Sequence, residues 1–204
     1  AHNPLAGVAH AEDLGQPEPL AAGFENEAGP LYALFGEYIV NCIYSKTWSL
    51  RDAALQKLSL QLRGGSCEAG NQDIDRLLHG YATILTRTVA DKNVQVFNSS
   101  ATLLQAVCHN LVDGPGRRAL RGSEAQAALE PLLPLLAERL GDANGRVEKT
   151  ARDAHLDLAR CSVGAAFAAK CLLRPPTKKT VPPRVYSCRL QLLAALVSEF
   201  RVQP

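Results

Sequence analysis

Ile74, Leu77, Leu78, Tyr81, Ile84, Leu85 and Val89 fall at steps of three and four residues, the spacing that gathers apolar side chains on one face of an α-helix. Phe97, Ala101, Leu104, Cys108 and Leu111 repeat the pattern on the next segment. The same periodicity predicts helices over Ala125 to Leu140, Val147 to Cys161, Val163 to Leu172 and Val185 to Val202, and helical pattern begins at Leu31. Nothing between these segments reads as a strand, so the predicted class is all-α. Residues 1–29 differ: Pro4, Pro17, Pro19 and scattered glycines interrupt any helical period. They are expected to form an irregular lead-in or linker before an array over residues 30–204.

The helices come in pairs that share a joint. Asp91-Lys92-Asn93-Val94-Gln95-Val96 and Asp142-Ala143-Asn144-Gly145-Arg146-Val147 both follow Asp-x-Asn-x-x-Val. In each, an aspartate or asparagine can cap the second helix while the final valine begins its buried face. The two copies are spaced slightly wide for a two-helix unit, and the glycine-rich loop from Asp113 to Gly122 accounts for the excess. Four pairs are predicted, Leu31 to Arg63, Ile74 to Val112, Ala125 to Cys161 and Val163 to Val202, with turns at 45–48, 90–95, 141–146 and 174–184. Such a series stacks as an α-solenoid of antiparallel helical pairs, the HEAT-repeat kind, and places its turns along one edge. Pro131 and Pro134 interrupt the first helix of the third pair, where HEAT helices commonly bend.

Trp48, the one tryptophan of the chain, stands in the first of these turns. Lys46, Thr47 and Ser49 around it are polar, Thr47 or Ser49 can cap the following helix, and the apolar stripe starts only at Leu50. An outward indole offers the rigid contact area that dominates many interfaces. The later turns bring Lys92, Asn93 and Val94, then Asn144, Arg146 and Lys149, then Lys178, Lys179 and Arg184. A ridge with an aromatic anchor at one end and cations along the rest suits an extended acidic protein surface.

Composition narrows the classes. The formal net charge of +2 over 204 residues does not point to nucleic acid; Arg117, Arg118 and Arg121 form a basic cluster, but no aromatics accompany it for stacking. No segment is apolar enough for a membrane span, and residues 1–29 lack a basic-then-apolar signal, so the chain reads as soluble and cytosolic. The chain has no methionine, even at position 1, which leads us to expect a piece of a longer polypeptide. Cys42, Cys67, Cys108, Cys161, Cys171 and Cys188 show no metal-ligand spacing and read as reduced thiols, mostly buried on helical faces, with Cys67 exposed in its Gly64-Gly65-Ser66 loop. His79, His109 and His155 sit inside helices without a nucleophile or acid partner, and Gly114-Pro115-Gly116 reads as a turn rather than a phosphate loop. No cofactor, metal or catalysis is expected.

Trp48 with Arg51-x-x-Ala54-Leu55, and the two Asp-x-Asn-x-x-Val turns on paired helices, resemble a TOG domain, the HEAT-repeat array that binds αβ-tubulin. Within that family, Pro17-Glu18-Pro19-Leu20, Gly36-Glu37 and Tyr44-Ser45-Lys46-Thr47-Trp48-Ser49 resemble the opening of the TOG domain of a protein of centrioles and ciliary tips. The resemblance implies a monomeric, non-enzymatic module whose turns contact the tubulin heterodimer. It implies that Trp48 packs against β-tubulin, that Lys92, Asn93, Val94, Asn144 and Arg146 continue along it, and that Lys178 and Lys179 lie toward α-tubulin. It further implies a place in the cytoplasm and cytoskeleton, at centrioles and the tip of the cilium or flagellum, with other plus-end or centriolar proteins as further partners. TOG arrays usually have six pairs, so this array is expected to be truncated at its C-terminal end. Where the family carries Val-Arg after the joint, this chain has Val96-Phe97 and Val147-Glu148, which sets an acid beside Arg146. The alternative is a HEAT-type scaffold that docks another centriolar or ciliary protein without binding tubulin.

Overall fold

In the computed structural model, which describes residues 3–64, 73–114, 122–175 and 181–201, the described residues contain helices and no strand. The helices are α1 (Glu25–Phe35), α2 (Glu37–Tyr44), α3 (Trp48–Arg63), α4 (Asp73–Val89), α5 (Val94–Val107), α6 (Gly122–Leu129), α7 (Leu132–Arg139), α8 (Gly145–Arg160), α9 (Ala165–Ala169) and α10 (Pro183–Phe200). A π-helical turn, Cys108–Val112, continues α5. The architecture is the expected α-solenoid. α3, α5, α8 and α10 stack in chain order as one layer, while α1 and α2, α4, and α6 and α7 form the other.

The apolar stripes explain the stacking. In α4, Ile74, Leu78, Tyr81, Leu85 and Val89 are buried, one face only. α5 lies between α3, α4 and α8 and buries Val96, Phe97, Leu103, Leu104, Ala106 and Val107 among them. Ser100 in its interior donates to the carbonyl of Val96 at 2.7 Å, and Ser59 and Thr88 do the same with Leu55 and Ile84 at 2.9 Å each, so these buried hydroxyls are satisfied within their own helices. Polar rungs join α5 to α8 and α8 to α10, each pair of helices with its own offset. Asn98 accepts from Thr150 at 3.3 Å and Gln105 donates to Asp157 at 3.3 Å, both 52 residues apart. Arg152 reaches Gln191 at 3.4 Å and Arg160 reaches Glu199 at 2.9 Å, both 39 apart. A repeated offset is what stacked, like-oriented helices produce.

Several boundaries differ from the periodicity. Helical structure begins at Glu25 rather than Leu31, and the segment then breaks at Gly36, whose φ of 79° is a left-handed conformation that glycine adopts without steric cost. The single helix expected over Ala125 to Leu140 is two, because the chain turns at Glu130 and Pro131, and proline removes the donor that would continue the ladder. The helix expected over Val163 to Leu172 shrinks to Ala165–Ala169, opened by Gly164 at φ 84° and followed by tight turns. Residues 3–24 hold one short 3-10 helix, Ala11–Asp13, and Leu5, Val8 and Ala11 are buried against the core while Lys57 Nζ holds the Ala6 carbonyl at 2.6 Å.

Cys42, Cys108, Cys161 and Cys171 are buried and Cys188 is half-buried; Cys67 lies outside the described residues. Burial pushes the Cys42 thiol up to about 12 and the Cys171 thiol up to about 11, so both stay protonated near neutral pH. Among the described residues no helix is long and apolar enough to cross a membrane.

Candidate functional site at the inter-helix turns

The turns share one local design. Thr47, Asn93 and Asn144 precede α3, α5 and α8 with φ/ψ of −79/112°, −79/125° and −81/111°. Two residues earlier, a short side chain accepts from each of these backbone amides: Ser45 Oγ at 3.0 Å, Asp91 Oδ1 at 2.8 Å and Asp142 Oδ1 at 2.9 Å. Three residues later comes the first buried apolar side chain, Leu50, Val96 or Val147. The first turn is therefore a third copy of the Asp-x-Asn-x-x-Val joint, with serine and threonine in place of aspartate and asparagine. Asn93 Oδ1 caps Gln95 and Val96 at 2.9 and 3.4 Å, and Asn144 Oδ1 caps Arg146 at 3.0 Å. Thr47 holds the capping position without a side-chain cap bond. Before α10 the same place is taken by Pro182, with Val185 the buried residue three positions on.

By this register Trp48, Val94, Gly145 and Pro183 are equivalent first residues of their helices. Trp48 is 47% exposed, so the indole faces outward as its polar neighbours predict. Lys46, Thr47, Lys92, Asn144, Arg146, Lys149 and Arg184 are exposed as well, and Asn93 and Val94 are half-buried. Lys178 and Lys179 lie outside the described residues.

Two arginines join the turns. Arg51 forks onto Asp91 through Nε at 2.7 Å and Nη2 at 3.2 Å, and its Nη1 donates to the carbonyls of Ser45 and Lys46 at 2.8 and 3.0 Å. One side chain thus ties the first turn to the second. Arg139, at the end of α7, donates to the carbonyls of Val89, at 3.2 Å, and Asp91, and pairs with Asp142 at 3.5 Å, which ties the second turn to the third. Third and fourth turns meet at Gly141, where a Cβ would run into the side chain of Val185. Glu18, from the lead-in, anchors the first turn. It accepts from Lys46 N at 2.6 Å and from Ser45 Oγ at 2.7 Å, and these two donors, the Lys46 amide above all, hold its carboxyl down at about 2.

The cations fall into two sets. Arg51, Arg139, Arg152, Arg160 and Lys170 make salt bridges inside the fold. Among the described residues, Lys46, Lys92, Arg146, Lys149 and Arg184 on the turns make none. Glu148, the acid beside Arg146, pairs instead with Arg152 one helical turn along α8 at 2.6 Å and leaves Arg146 free of it. Phe97, the other departure from Val-Arg, is buried with the Arg139 guanidinium 5.2 Å above its ring. Sequence spacing did not reveal Glu18, Arg51 and Arg139 as organisers of the edge, because each reaches a partner on a distant segment, 27 to 50 residues away.

A row of like-built turns, cross-linked into one exposed edge on stacked helical pairs, defines a HEAT-type α-solenoid interaction module. The chain belongs to the family of the TOG domain of centrosomal protein CEP104, whose family profile matches residues 25–203. Centrosomal protein of 104 kDa from Homo sapiens is 30% identical over 138 residues, covering 68% of this chain and 15% of that protein. Its Mus musculus counterpart is 29% identical over 133 residues, 65% of this chain and 14% of that protein. The solved TOG domain of human Cep104 superposes with a TM-score of 0.78 at 26% identity, over 93% of this chain and 72% of that one. The chain thus spans about 15% of the length of the curated relatives it matches. The family is one of structural modules and not of enzymes.

Proposed function

We propose that the turn edge binds the αβ-tubulin heterodimer, as its likeness to TOG domains implies. The observation that carries this reading is Trp48, half-exposed at the head of α3 on a turn held by Glu18 and Arg51. An indole fixed in place loses little entropy on binding and makes a strong anchor. Thr47, Lys46, Lys92, Asn93, Val94, Asn144, Arg146, Lys149 and Arg184 continue the contact, with Lys178 and Lys179 in the fourth turn. The unpaired cations steer an acidic partner and set its register. Asn93 and Asn144 contribute mainly by shaping their turns, since their carbonyl oxygens already cap helices.

In this reading residues 30–204 are a monomeric array that captures tubulin without catalysis, in the cytoskeleton at centrosomes, centrioles and ciliary or flagellar tips. Tethering through a parent chain raises the local concentration of captured dimers, and other centriolar or plus-end proteins are partners of that parent. The test is gel filtration with unpolymerised αβ-tubulin at low and physiological salt. Wild type co-elutes and Trp48→Ala does not, while its helical signal is unchanged. Co-elution indifferent to Trp48→Ala moves binding off the turns and favours a scaffold acting through another face.

A further inference from the structure

Arg189 on α10 is 7% exposed and has no carboxylate within salt-bridge distance among the described residues. Its Nη1 donates to the Arg174 carbonyl at 2.8 Å, and its buried Nε has no partner. A buried guanidinium without a counter-charge is costly, and Arg189 is the one buried arginine or lysine among the described residues. Arg189 lines a cavity of about 290 Å³ with Glu130, Leu133, Pro134, Lys170 and Arg174. Glu130 is already engaged by Lys170 at 2.7 Å and Arg174 at 3.9 Å. Among the described residues the Arg189 guanidinium is thus left without a salt-bridge partner, in a cavity built from the segments that lead into the third and fourth turns.

We propose that this cavity receives the carboxylate of an acidic side chain from a protein partner. A single negative charge matches the single unpaired guanidinium, whose planar fork fits a carboxylate with two parallel bonds. The two glutamates in the wall disfavour a doubly charged phosphate, and Leu133, Pro134 and Pro175 offer an apolar lining for an aliphatic stem. The proposal stands whether or not the partner is tubulin.

The test uses the whole chain with hexaglutamate, hexaglutamine and inorganic phosphate, followed by amide resonance mapping and titration. Hexaglutamate is expected to bind and to shift Leu133, Lys170, Arg174 and Arg189, with hexaglutamine silent. Arg189→Met is expected to weaken binding by roughly tenfold or more while melting no lower than wild type, since an uncompensated buried charge is exchanged for an apolar chain. If that variant does not fold, the wild-type resonance map decides. Equal affinity in Arg189→Met, shifts confined to Lys46, Lys92 and Arg146, absence of binding by wild type, or phosphate binding in the cavity in preference to hexaglutamate each overturn the proposal.

Discussion

Glu18 reaches the first turn from outside any helix, and the two donors it meets, Lys46 N and Ser45 Oγ, belong to the residues just before Trp48. Its carboxyl is held from an ordinary 4.5 down to about 2, first by the Lys46 amide and then by the Ser45 hydroxyl. A depressed carboxylate pKa contributes stability that is fully present above the unfolded value and is lost as pH falls through the folded value. The latch should therefore hold down to about pH 4.5 and release as pH falls toward 2. Trp48 is the one tryptophan, so its emission reports the event. The expected titration has a step centred near pH 2 that Glu18→Gln removes. A step near pH 4.5 would mean that Glu18 is solvated in solution and the turn stands without it.

At the level of the elements, the edge depends on arginines bridging successive turns. Arg51 and Asp91 are 16% and 13% exposed in their side chains, so their pair is desolvated enough to matter, unlike an open surface pair. A double-mutant cycle of Arg51→Ala and Asp91→Ala should give a coupling of about 1–3 kcal/mol in denaturant unfolding, against a few tenths for Arg160 and Glu199, whose side chains are 51% and 40% exposed. Additive effects at Arg51 and Asp91 would remove the bridge from the account. The sequence made helices such as α4 legible because their apolar positions repeat over several turns, and it made two of the joints legible because aspartate and asparagine are recognisable caps. The first joint hid behind Ser45, which accepts the Thr47 amide as the aspartates accept theirs, and Thr47, which holds the capping position without a side-chain cap bond. Breaks at Gly36, at Glu130 and Pro131, and the brevity of α9 depend on backbone conformations that a helical period does not encode. The bridging arginines were invisible for a different reason: a salt bridge between turns is a property of stacking, not of spacing within one helix.

For the whole molecule, a solenoid distributes its stability over neighbouring pairs, and a buried group between two of them reports on both. His155 of α8 is fully buried, with Nδ1 2.9 Å from the Ala151 carbonyl and Nε2 3.8 Å from Cys171 Sγ just after α9. Burial, with the Arg189 charge adding to it, pulls the imidazole down to about 4 against the opposing Ala151 carbonyl. The unfolded chain then binds the proton more readily than the folded one between about pH 6.5 and 4, so stability falls as pH drops through that window. The loss should approach about 3 kcal/mol by pH 4 and be absent in His155→Leu. A pH-independent melting temperature over that range in wild type would contradict it. The buried contacts between α8 and the segment around α9 thus support an edge whose exposed turn side chains make no salt bridge among the described residues.

The most direct test of that edge as one tubulin-binding surface is amide hydrogen exchange of the chain alone and with unpolymerised αβ-tubulin. The account predicts that tubulin slows exchange together in residues 45–50, 91–96 and 142–147, and that Trp48→Ala abolishes protection in all three. Protection elsewhere, or in one turn independently of the others, would contradict it.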